Sequence, residues 1–116
     1  MTSFNADDIK CSGLSQPVGK DCRKLMQSMP ASKDYFMFGK AGNPGVDVDI
    51  PWELTTRDTL GCTLFLNIEG SPERERWYSI WRQAAAIEKL CVQKGKPGVA
   101  YGLGLHGGLI DLDMTF

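Results

Sequence analysis

No two of the four cysteines in this chain are spaced as a C-x-x-C pair. A zinc knuckle and a thioredoxin-like redox motif are therefore both excluded. Histidine is nearly absent too. His106 is the single imidazole, so chemistry that needs a His pair or a His-rich metal site has nothing to build on, and no metal or cofactor is expected. There is no run of 18 apolar residues, so no membrane span is expected. Charge of one sign does not dominate. With 13 basic and 14 acidic side chains the formal charge is −1, which is not the balance of a protein that lives on phosphate backbones, and no nucleic-acid partner is expected. Asn5, Asn43 and Asn67 all lack a hydroxyl residue two positions on, so N-glycosylation is not expected. The opening MTSFNADDIK lacks the basic start, apolar run and cleavage site of a signal peptide. If the chain is secreted, its signal is expected to have been removed.

What is present is an even number of scattered cysteines, Cys11, Cys22, Cys62 and Cys91, in 116 residues. In a small domain this reads as two disulfides, which persist in oxidising compartments, each contributing roughly 2–4 kcal/mol if unstrained. The alternative is four free thiols buried as small hydrophobes. As staples, the cysteines leave the list of nucleophiles. The length fits one domain, residues 1–116.

Periodicity supplies the elements. A weak first strand spans about Asp8 to Ser12. After Pro17, the residues Val18, Cys22, Leu25, Met26 and Met29 share one helical face, and Pro30 ends that helix. Tyr35 to Phe38 is too apolar for a solvated loop, and AGNPG after it is turn chemistry. VDVDI alternates strictly, with Val46, Val48 and Ile50 on one face and Asp47 and Asp49 on the other. PWELTTRDTLG reads as a loop and CTLFLNI as a strand with Cys62, Leu64, Leu66 and Ile68 inward. Ser71-Pro72 is a helix start, predicting a helix to about Lys94 closed by Gly95. Its stripe is Trp77, Ile80, Trp81, Ala84, Ile87 and Cys91, and at 1.5 Å per residue it would be roughly 36 Å long. A glycine-punctuated run follows. LIDLDMTF then alternates again, with Asp111 and Asp113 outward.

The predicted order is strand, helix, strand, strand, helix, strand. One-faced helices and strands with one apolar and one polar face predict an α+β fold. It would be a two-layer α/β sandwich, βαββαβ and ferredoxin-like, with an antiparallel sheet and two helices on one face.

Cys11, then Asp21-Cys22 leading a helix that ends at Pro30, then Ile50-Pro51-Trp52 and Gly61-Cys62-Thr63 opening a strand, form a recognisable sequence. With Trp77, Ile80, Ala85 and Ile87 before Cys91, and a glycine-rich stretch and last strand after it, the chain resembles small secreted proteins of filamentous fungi. These are similar in turn to the α/β sandwich of the smut-fungus viral killer toxin and to plant-pathogen effectors of that fold. A second likeness is to the necrosis-inducing factor domain of fungal effectors. The resemblance implies an extracellular, disulfide-stapled sandwich that often has no enzymatic activity, and it fixes no target. Neither family accounts for the acidic last strand. Four cysteines allow three connectivities. Cys22 with Cys62 is favoured because both point inward, which leaves Cys11 with Cys91.

Several side chains are candidates for a site. Gly102, Gly104 and Gly107 formally meet G-x-G-x-x-G around His106, but the run precedes a strand instead of joining a strand to a helix, so nucleotide binding is rejected. His106 lacks an evident nucleophile and orienting carboxylate, and no catalytic residue is assigned. Asp47 and Asp49 on one strand, and Asp111 and Asp113 on another, could form acidic faces. In a ferredoxin-like order those strands are opposite edges, roughly 14 Å apart, where charge deters edge-to-edge aggregation. Trp77 and Trp81 read as core. Trp52 and Phe65 could together form a binding patch, or Trp52 could simply pin its loop to the sheet. Phe65, facing away from the core, suggests a cover: the Tyr35–Phe38 segment or a partner subunit.

Three functions follow. The first is a secreted recognition protein binding a host or competitor protein or cell-surface component, as a monomer or weak homodimer. The second is a small hydrolase using His106 and strand carboxylates. The third is a self-associating structural protein. An enzyme predicts one pocket holding His106 beside a carboxylate, a dimer predicts a buried Phe65, and a recognition module predicts exposed aromatics.

Overall fold

Leu64, Leu66 and Ile68 alternate with Thr63, Phe65 and Asn67, and Ile110, Leu112 and Met114 alternate with Asp111 and Asp113. Two such strands pair so that one side of the ribbon is wholly apolar. The computed structural model, which describes residues 9–13, 21–55, 61–105 and 107–115, is built around that ribbon. In chain order its elements are β1 (Ile9–Cys11), α1 (Asp21–Ser28), β2 (Tyr35–Lys40), β3 (Val48–Ile50) and β4 (Trp52–Thr55). They continue with β5 (Thr63–Ile68), β6 (Glu73–Arg76), α2 (Trp77–Leu90), a 3-10 turn (Val92–Lys94), β7 (Gly98–Leu103) and β8 (Ile110–Thr115). No helix among the described residues is long and apolar enough to cross a membrane. Val18 of the first helical face, His106 and the closing Phe116 of LIDLDMTF lie outside the described residues.

The class is α+β with two helices, but the four-stranded βαββαβ order is not what forms. Five strands make an antiparallel sheet in the order β1-β7-β8-β5-β4, and three make a second, mixed sheet in the order β3-β2-β6. VDVDI therefore contributes β3 to the small sheet, parallel to β2, and is not an edge of the large one. The segment expected to be a loop after Pro51 forms β4, paired with β5 in the register Trp52↔Leu66 and Leu54↔Leu64. The Ile50–Pro51 bond between β3 and β4 is cis.

The long helix is also shorter than its sequence suggests. Residues 73–76 form β6, antiparallel to β2 with Phe36 opposite Glu75 and Phe38 opposite Glu73. The helix begins at Trp77, with no side-chain cap at Arg76, so Ser71 does not cap it. Its 14 residues span about 21 Å. Tertiary pairing overrides local propensity here, because the aromatic run of β2 needs a partner for its backbone groups.

The core lies between the large sheet and the helices. Leu64, Leu66, Ile68, Ala100, Ile110, Leu112 and Met114 are buried against Ile80, Ala84 and Ile87 of α2 and Leu25 and Met26 of α1. At Gly98 of β7 a Cβ would lie 2.7 Å from Ile87 Cγ2 and 2.8 Å from Cys91 Sγ, so the missing side chain is what lets α2 approach the sheet. Two disulfides close the layers. Cys22–Cys62 ties α1 to the entry of β5, and Cys11–Cys91 ties β1 to the end of α2. Of the three connectivities this is the one that inward-facing Cys22 and Cys62 favour.

Trp77 joins the two sheets. Its ring meets Phe38 of β2 edge-on with centroids 5.1 Å apart, and Trp52 of β4 at 4.9 Å. Tyr35–Phe38 thus supplies Phe38 to the helix side of the molecule. Among the described residues Phe65 makes no ring contact.

Candidate functional site

Register assigns each expected residue to a face. Trp52 is opposite inward-facing Leu66, while Glu53 is opposite Phe65. Trp52 and Phe65 therefore point to opposite sides of the sheet and cannot form one patch. Trp52 takes the anchoring role, packed on Trp77. Asp47 is likewise structural. Its carboxylate accepts the Met37 N–H at 2.8 Å, and its own N–H donates to the Met37 carbonyl at 2.8 Å. Asp49 is exposed on β3, in the other sheet from Asp111 and Asp113, so the four aspartates form no joint site. Among the described residues no three potential ligands come together to hold a metal.

Asp111 and Asp113 have a different setting from the one expected. β8 is not an edge, since β7 and β5 flank it on either side. Deterring edge pairing therefore cannot explain them. They stand in the middle of the outer face of the five-stranded sheet, the side the helices do not cover. One row across that face runs Glu53, Phe65, Asp113, Val99, Lys10, on β4, β5, β8, β7 and β1 in turn. Phe65 is half-buried between two carboxylates set two strand spacings apart, about 10 Å. The next rows hold Asn67 opposite Asp111 and a pair of threonines, Thr55 and Thr63, with their Oγ1 atoms 2.9 Å apart. Tyr101, 48% exposed, lies at the irregularity in β7 pairing.

The electrostatics of this face are costly. Burial among its neighbours raises the Asp111 carboxyl from its ordinary value, and Glu69 and then Asp113 raise it further. Burial likewise raises Asp113. A carboxyl whose folded pKa is raised stabilises the fold fully only below its unfolded value of 3.8. That contribution is lost as pH rises through the folded pKa. At neutral pH both aspartates therefore work against folding. Asp113→Asn is expected to raise the thermal midpoint at pH 7 by about 2 °C, and the gain should vanish below pH 3.8. Thermal melts of both proteins across that range check it, and a lowered midpoint at pH 7 would contradict the assignment.

A second polar cluster escaped the sequence reading. Glu73 and Glu75 of β6 are each only 1% exposed. The Glu75 carboxylate accepts the Arg76 N–H at 2.9 Å and the Gly104 N–H at 3.0 Å. Leu105 N–H donates to the Arg74 carbonyl at 3.0 Å, and the Glu73 carboxylate occupies the place a side chain on Gly104 would take, with its Oε1 3.3 Å from where a Cβ on Gly107 would be. The glycine-rich segment does allow a close approach, but what approaches is the protein's own carboxylates. Arg76, on the other side of β6, places its guanidinium 5.4 Å from the centre of the Tyr35 ring. The strict alternation Glu-Arg-Glu-Arg is a period of two, and was the available signal for a strand with its glutamates inward. Closed off from solvent, this pair acts as a latch between β6 and the glycine-rich segment.

Comparisons with models of protein families, with curated proteins and with solved structures find no match to the chain.

Proposed function

We propose that the chain is a secreted recognition protein, of the kind represented by fungal effectors and killer-toxin-like proteins. It binds a host or competitor surface component without turning it over. The two disulfides support an oxidising destination, and the likeness to killer-toxin-like proteins rests on the order and context of the four cysteines in the sequence. The single observation that carries the reading is the outer sheet face. It holds Asp111 and Asp113 in an environment that raises their pKa values, beside half-buried Phe65, where neither edge protection nor fold stability accounts for them. Groups that cost stability in the middle of an open face are characteristic of binding sites. An aromatic ring flanked by carboxylates suits a cationic target group, which gains ion pairing and a ring face together. Hydrolysis is disfavoured because the carboxylates Glu73 and Glu75 are each buried and shut off from substrate.

Fluorescently labelled, disulfide-intact protein is the test. It should label candidate host or competitor cells saturably at low salt, and Phe65→Ala with Asp113→Asn should weaken that labelling at least tenfold. Equal labelling by wild type and double variant would refute the reading. Labelling lost by wild type at high salt but kept by a Lys33→Gln control at low salt would support it.

A further inference from the structure

We propose that the outer face of α2 binds a small planar aromatic anion, a fused ring carrying a carboxylate or sulfonate. The site is an open groove of about 310 Å3 lined by Tyr78, Trp81, Arg82, Ala85, Ala86 and Lys89. These positions are i, i+3, i+4, i+7, i+8 and i+11, one continuous helical stripe beside the core stripe of Trp77, Ile80, Ala84 and Ile87. Trp81, expected in the core, is half-exposed and belongs to this second stripe.

The walls are held in place. The Trp81 indole N–H donates to the Met26 carbonyl at 3.2 Å, which ties α2 to the end of α1 and leaves the ring with carbon surface to offer. The Tyr78 backbone N–H donates to the Ser32 carbonyl at 3.0 Å. Two cations attend the Tyr78 ring, Lys33 Nζ at 5.2 Å and the Arg82 guanidinium carbon at 5.9 Å from its centre. Nearby Glu88 is engaged by Arg23 at 3.5 Å and by Gln93 at 3.0 Å. Among the described residues Lys33, Arg82 and Lys89 have no ion-pair partner. Three positive charges without counter-charge beside an apolar groove select an anion with an apolar body.

Size and chemistry narrow the class. The volume is at the small end for ligand sites, roughly 300–1,000 Å3, and fits one compact molecule. A sugar would bring hydroxyls that the alanine floor and the committed indole N–H cannot satisfy. A flat ring satisfies the alanines and ring walls, and its anionic group reaches Arg82 and Lys89 at the rim. The site lies on the side of the molecule away from the acidic sheet face and does not depend on the function proposed for that face.

Titration of the oxidised chain with 2-naphthoate, followed by Trp fluorescence and calorimetry, tests the inference. Saturable one-site binding is expected with a Kd of about 0.1–1 mM. Neutral 2-naphthamide should bind at least about fivefold more weakly, and Arg82→Gln and Lys89→Gln should each weaken naphthoate about three- to fivefold. Ala85→Met, which fills the groove, should remove binding, and Asp113→Asn should leave it unchanged. Naphthamide binding as tightly as naphthoate, an unchanged Kd in both cation variants, or no saturation by about 10 mM would each overturn the proposal. So would binding of oligogalacturonate or a single-stranded oligonucleotide at this face in preference to naphthoate.

Discussion

Replacing Cys22 and Cys62 together by alanine should lower the stability of the oxidised chain by about 4 kcal/mol, a fall of about 15 °C in thermal midpoint. The bridge closes a sequence separation of 40 residues, and restricting a chain of that length in the unfolded state accounts for nearly all of the figure. Packing loss adds to it. Both cysteines are 1% exposed and belong to the core cluster, so the sulfurs leave space that α1 and β5 must collapse to fill. The eight residues of α1 are too few to hold helical structure alone, so without the bridge α1 depends on its apolar face. The Cys11–Cys91 bridge closes 80 residues and would be worth slightly more on loop length alone. Cys11, however, is exposed on a three-residue edge strand, which can fray without disturbing the core, so its loss should cost less. Denaturant unfolding of the two double variants decides this. A cost below about 1 kcal/mol for the Cys22–Cys62 pair would show that the unfolded chain is already confined.

Gly104→Ala should cost about 3 kcal/mol. Two effects combine at this position. Its φ is +116°, a backbone conformation that L side chains rarely adopt. A Cβ there would also run into the Glu73 carboxylate, which has no exposed direction in which to retreat. Gly102 separates the two effects, since its φ is +79° but nothing lies within 4 Å of where its Cβ would be. Gly102→Ala should therefore cost only about 1 kcal/mol. If the clash with Glu73 is the larger part, Gly104→Ala combined with Glu73→Ala should be less destabilised than the sum of the single changes. Chemical denaturation of the four proteins is the measurement. Equal costs for Gly102→Ala and Gly104→Ala would mean that the carboxylate latch moves aside freely.

The inward faces of β5 and β8, the apolar face of α1 and the inward position of Cys22 and Cys62 were all legible from periodicity, because a residue's face follows from its neighbours at two or at three to four positions. β4, β7 and the two-sheet arrangement were not. Short strands of mixed composition carry little periodic signal, and which strand pairs with which is a long-range decision. The site shows the same division. The outward direction of Asp111, Asp113 and Phe65 came from alternation alone. That these three sit in the middle of one face depended on β8 lying between β5 and β7, and Trp52 was removed from that face by register with Leu66. The groove stripe on α2 was hidden because Trp81 satisfies the core period and the outer period equally.

Composition and pattern by themselves determined an α+β domain with two helices and a disulfide framework, since burial of apolar faces and the chemistry of cysteine are local properties of the chain. Tertiary structure decided between the strand that the alternation of Glu-Arg-Glu-Arg allows and the helix that its composition favours. Isolated, those residues favour a helix after Ser-Pro. Paired with β2, with Gly104 supplying an N–H to the buried carboxylate of Glu75, the extended form satisfies backbone and carboxylate together, and that donor comes from a segment almost thirty residues away.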